Sequence, residues 1–178
     1  MIIRQSGDED LGAIMAIHES AFGHNNEALL TKELLTDPNA APCLSLIAIM
    51  NNKPVGHIIF TRANIAGAPE DLNASILAQT AVAPEAQGQG LGDQLTRHGL
   101  RHLIDTKTDA VFVFGHPFYY PRFGFEPAEK RNLTAPYPVP DQHKYTWMVQ
   151  ELKLGALKNL QGQVSCADGR DISRYWGK

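Results

Sequence analysis

The sequence predicts an α/β fold of the mixed α+β kind, a mostly antiparallel central sheet with helices on both faces. Three observations carry this. Helical periodicity comes early, β-rich runs follow, and strand and helix patterns then alternate to the end. The run "AVFVFG" at residues 110–115 is apolar on both faces, as a strand covered on both sides must be. Turn-forming residues separate the runs at short intervals.

The elements follow in order. Residues 2–4 predict a short strand. Ser6 with Glu9 three positions later forms a capping-box pattern, and Leu11, Ile14, Met15, His18 and Phe22 recur at helical spacing, which predicts a helix over about 8–21. Asn25 or Asn26 caps a second helix with Leu29, Leu30, Leu34 and Leu35 as its apolar stripe, stopped at Asp37-Pro38. "CLSLIAIM" and "PVGHIIFTRANI" predict a hairpin turning at "NNK", because Asn tolerates positive φ. After "AGAPED", "SILAQTAVA" at 75–83 predicts another strand, ended by Pro84. Leu91, Leu95, His98 or Gly99, and Leu103 share one face of a helix that runs from Gly90 to about Ile104. The strand at 110–115 precedes a short aromatic helix, "PFYYPRF", then a Pro-rich loop, and "YTWMVQELK" is the last predicted strand, with Trp147 and Val149 on one face.

Composition bounds the function. The 178 residues suit one hydrophobic core, so a single domain over 1–178 is expected. A formal charge of −3 excludes broad coating of nucleic acid or anionic membrane, which needs clustered Lys and Arg. No apolar run is long enough for a bilayer and the N-terminus lacks a signal-peptide pattern, so a cytoplasmic protein is expected. Cys43 and Cys166, without CxxC spacing or a histidine cluster, point to neither disulfide nor metal, and two reduced thiols are expected.

The chemistry starts in "VAPEAQGQGLGDQL", where Gly88, Gly90 and Gly92 stand at alternate positions between a strand and a helix. Glycine lets a loop turn tightly and bring amide N–H groups to a ligand oxygen, while the helix start adds unpaired amides and partial positive charge. A diphosphate would be held there by backbone alone. The loop lacks the Gly-Lys-Ser/Thr of a Walker A motif, and it reads GxGxG rather than the GxGxxG of a dinucleotide fold.

It does match Q/R-x-x-G-x-G/A at Gln87, Gly88, Gln89, Gly90, Leu91 and Gly92, after a strand ending "TAVAP", with "FYYPRFGF" about thirty residues on. With these two motifs the chain resembles the GCN5-related N-acetyltransferase (GNAT) superfamily, in its branch of small bacterial acetyltransferases, over almost its whole length. The resemblance implies the acyl-coenzyme A N-acyltransferase fold, splayed between its fourth and fifth strands, with acetyl-coenzyme A inserted in the opening. It implies that the pantetheine arm pairs with backbone at Ala81, Val82 and Ala83, that the amides of Gln87–Gly92 hold the diphosphate, and that no metal takes part. Homodimers are consistent with this family.

Acetyl transfer to an amine needs a neutral amine, a donor for the carbonyl oxygen and a proton for the leaving thiolate. The resemblance assigns Tyr120 as general acid, while Tyr119 reads as packing in an aromatic cluster and a backbone N–H near Val82 or Ala83 as the oxyanion donor. The base is left open among Glu27, His57, Gln79, His116 and ordered water. His18 reads as structural, Gly124 as a turn residue, and Arg97, Arg101 and Lys107 as a solvated face. The expected activity is acetyl-coenzyme A-dependent transfer to a primary amine of a small molecule or peptide, by direct attack in a ternary complex. The alternative is a non-catalytic coenzyme A-binding or sensing domain.

Overall fold

The computed structural model describes residues 1–167. Nine strands and three α-helices follow one another as β1 (Ile2–Gln5), α1 (Leu11–Phe22), α2 (Asn26–Thr36), β2 (Leu44–Met50), β3 (Lys53–Ile65), β4 (Ala74–Val82), α3 (Leu91–Asp105), β5 (Ala110–Phe114), β6 (Glu126–Pro127), β7 (Leu133–Thr134), β8 (Trp147–Glu151) and β9 (Gly162–Cys166). The sheet runs β1-β2-β3-β4-β5-β8-β6, with β9 pairing the far end of β3 and the short β7. Within the main path only β4 and β5 are parallel.

Alternation along β3 assigns the helices to faces. Ile58 and Phe60 pack with Leu91 and Leu95 of α3. Ile59 packs with Leu34 of α2, and His57 meets His18 of α1. Helices therefore cover both faces, as the sequence predicts. The β2–β3 turn is made by Asn51 and Asn52, both at positive φ (52° and 61°), and Lys53 already belongs to the strand.

Several local expectations are corrected. Ser6 does not cap the first helix. Its hydroxyl bonds Ser45, and the cap is one position later, where the Asp10 carboxylate accepts the Gly7 amide at 2.8 Å and binds Arg4 at 2.7 and 2.9 Å. Residues 8–10 form a 3-10 turn before α1 proper. The inner face of α2 is Ala28, Thr31 and Leu34, while Leu29 is exposed. Of His98 and Gly99 on α3 it is Gly99 that turns inward, and a Cβ there would overlap the Phe60 ring. "PFYYPRF" yields only a 3-10 turn over Tyr120–Phe123. The strand at Trp147–Glu151 is not the last, because β9 follows it and extends the sheet beside β3.

Candidate active site

The opening in the sheet arises from register. β4 and β5 pair only from Ala74↔Ala110 to Leu77↔Val113. At that point the β3–β4 ladder shifts, Phe60 opposing Leu77 and Ile59 opposing Gln79, so Ala78 is an extra residue. Such a bulge bends its strand. Beyond it β4 continues along β3 to Val82, and among the described residues no strand lies beside its other edge.

Parity then decides which backbone groups face the gap. Ala83 N–H donates to Val55 C=O at 2.8 Å, so Ala83 and, two residues back, Ala81 direct their backbone groups at β3. Thr80 and Val82 direct theirs to the open side. Ala83 is buried with its amide already used, which argues against the expected contact there, and by the same parity the Ala81 amide is directed at β3 although Ala81 lines the cleft. Val82 N–H remains as the candidate oxyanion donor. Thr80, whose backbone parity turns to the gap, is absent from the expected set because parity depends on register, which the residue pattern does not reveal.

The glycine loop lies at the end of this edge. Gly88 and Gly90 adopt the left-handed conformation (φ 74° and 75°), and added Cβ atoms would meet nothing within 4 Å, so the requirement there is backbone shape and open approach. The first helical hydrogen bond of α3 runs from Gln94 N–H to Gly90 C=O at 3.1 Å, and no side chain caps the helix. The amides of Leu91, Gly92 and Asp93 are therefore available to a ligand. Gln87 and Gln89 brace the loop by donating their side-chain amides to Val82 C=O (2.9 Å) and Glu85 C=O (3.3 Å).

One carboxylate, Asp93, sits in this first turn, where it would oppose a bound anion. It is drawn aside and compensated: Tyr119 O–H donates to it at 2.9 Å, and the Arg122 guanidinium lies 3.4 Å away while stacking over Tyr119 at 4.6 Å. Burial and the Asp93 hydrogen bond push the Tyr119 hydroxyl up to about 12. Tyr119 braces the helix start through its hydroxyl while its ring packs edge-on against Tyr120 and Phe123. Arg97 lies over the Phe123 ring at 5.0 Å.

Between the loop and α2 lies a cleft of about 530 Å³, lined by Gln79–Val82, Gly92, His116 and Tyr120 on one side and by Phe22, Glu27 and Leu30 on the other. Tyr120 is 6% exposed, and its hydroxyl has no hydrogen-bond partner among the described residues. Burial, with Tyr119 beside it, raises its pKa far above the usual phenol range, so it stays protonated. Its ring lies against Gly115, where a Cβ would come within van der Waals overlap of the ring edge. A glycine directly after β5 was the available signal for that close approach.

Of the candidate bases, Glu27, Gln79 and His116 line the cleft and His57 does not. His57 is fully buried, with Nδ1 2.9 Å from His18 Nε2 and Nε2 2.8 Å from Ser45 Oγ. His116 Nδ1 accepts the Phe118 amide at 3.3 Å. Glu27 Oε2 lies 3.0 Å from His24 Nδ1, without hydrogen-bond alignment. Cys43 and Cys166 form no disulfide. Among the described residues, no group of three or more His, Cys, Asp or Glu could hold a metal, and no helix is long and apolar enough to cross a membrane.

A bulge-opened strand edge leading into a glycine-rich helix start defines the acyl-coenzyme A N-acyltransferase class. Residues 2–128 match the family model described as "Acetyltransferase (GNAT) domain", and the chain belongs to the GNAT family, as an N-acetyltransferase. It is 46% identical over 160 residues to the uncharacterized N-acetyltransferase YjhQ of Escherichia coli K12, covering 89% of this chain and 88% of that one. The crystal structure of E. coli YhbS, a GNAT family N-acetyltransferase in complex with CoA, superposes with a TM-score of 0.83 at 31% identity, covering 93% of this chain and 88% of that one. A Brucella melitensis GNAT acetyltransferase in complex with acetyl-CoA gives 0.72 at 25% identity, covering 92% and 94%.

Proposed function

We propose that the chain, working as one domain, transfers the acetyl group of acetyl-coenzyme A to a primary amine by direct attack in a ternary complex. The observation that carries this is the juxtaposition of free backbone donors with a protonated, unpartnered phenol in one cleft. The residues fit the coenzyme. The amides from Gly88 to Asp93, with the α3 dipole behind them, suit its diphosphate, and the open-side groups of Thr80 and Val82 suit the amide-bearing pantetheine arm. That CoA and acetyl-CoA occupy related structures of this fold supports the same reading.

In this account the amine nitrogen bonds to the thioester carbonyl carbon and the C–S bond breaks. Val82 N–H donates to the carbonyl oxygen as it gains charge. Tyr120 O–H gives its proton to the departing sulfur, and the proton lost by the amine restores it through solvent. No enzyme nucleophile is required.

Tyr120→Phe tests the acid role. It keeps the ring against Gly115 and removes only the hydroxyl, so kcat with saturating substrates is expected to fall by about a hundredfold, the low end of the usual range for a general acid, with coenzyme affinity unchanged. An unaltered kcat and pH profile would remove Tyr120 from the chemistry.

A further inference from the structure

The α1/α2 end of the cleft has a chemistry of its own. Glu27 is the sole charged side chain among the described residues that line the cleft, where no Lys or Arg appears. Its Oε2 is buried and has no aligned hydrogen-bond donor, and the Thr61 Oγ1 that lines the same cleft is buried and unpaired as well. Thr61 Oγ1 has no partner, and Glu27 Oε2 has only the His24 imidazole 3.0 Å away, unaligned for a hydrogen bond; buried polar atoms left so carry a desolvation penalty that a ligand can relieve. Around them the wall is apolar: Phe22 from α1, Leu30 and Leu34 from α2.

Building on the acetyltransferase reading, we infer that this is the acceptor subsite and that it selects a monocationic primary amine carried on a compact apolar body. Glu27 receives the ammonium, Thr61 offers its oxygen to a second N–H, and Phe22, Leu30 and Leu34 cover the apolar group. Each excluded class has a physical reason. A polyamine would press its further charges against Leu30, Leu34 and Phe22, which cannot solvate them. A free amino acid would bring its carboxylate into a cleft whose one charged wall residue is already negative.

The subsite can be tested by calorimetry on the coenzyme A-loaded protein with 2-phenylethylamine, its uncharged analogue 2-phenylethanol, and spermidine. The amine is expected to bind at least tenfold more tightly than either of the others. Glu27→Gln is expected to abolish the preference for amine over alcohol while coenzyme A binds as before, which also shows that the variant folds. Leu30→Asn should weaken both phenyl ligands alike. Equal affinity for amine and alcohol, tighter binding of spermidine, or an unchanged preference in Glu27→Gln would each overturn the inference and leave the coenzyme site standing. Failure of the wild-type protein to take up coenzyme A would overturn both.

Discussion

Acidification from pH 7 to pH 5 is expected to destabilise the fold by about 4 kcal/mol, through two buried histidines. His18 and His57 are fully buried and joined ring to ring at 2.9 Å, with Ser45 and Ser6 continuing the chain. Burial holds His18 down at about 4 and His57, with His18 as a second influence, at about 3. The folded-state values lie below the unfolded value near 6.5, so the unfolded chain takes up protons that the fold refuses. Stability from this pair is complete above about pH 6.5 and declines as the pH falls toward 4. Two groups give a slope of about 2.7 kcal/mol per pH unit inside that window. Asp10, whose carboxylate Arg4 and the Gly7 amide hold below its ordinary value, loses its contribution only at lower pH. Urea unfolding at pH 7, 6 and 5 reads the slope, and a flat profile would mean that the pair is hydrated or protonated in the fold.

The second large effect is expected from Val82→Pro, a loss of about 10²- to 10³-fold in kcat, the usual result of removing one oxyanion donor. Proline deletes the N–H that parity directs into the cleft, and it does so on a face of the strand where no ladder bond is made. The neighbouring bond from Ala83 N–H to Val55 C=O should survive. Val82→Ala is the control, since it keeps the amide and should remain within about threefold of wild type on the same reasoning. Full activity in the proline variant would place the donor elsewhere, and an equal loss in both would assign the effect to the side chain.

These two cases show where the sequence was legible and where it was not. The glycine loop could be read because Gly88 and Gly90 perform a task, positive φ with open approach, that other residues do poorly. Tyr120 and Tyr119 are adjacent in an aromatic block, and packing separates them: one hydroxyl is tied to Asp93 and the other is left without a partner. The bulge at Ala78 could not be read, because it is a property of how β3 and β4 align. The same holds for the His18–His57 contact, which joins residues 39 apart through the packing of α1 on β3. β9 escaped notice because five residues, "GQVSC", are too short and too polar to stand out, and its place beside β3 is set by tertiary contacts. Glu27 was one of several candidates until the cleft showed it as the charged group on its wall.

In the proposed complex, backbone amides from Gly88 to Asp93 hold the coenzyme by its diphosphate. Calorimetric titration of the purified protein with coenzyme A and, separately, with pantetheine, which has the same arm but no diphosphate, tests it most directly. Tight binding of coenzyme A with affinity for pantetheine at least a hundredfold lower is the predicted result, and comparable affinities for the two would contradict it.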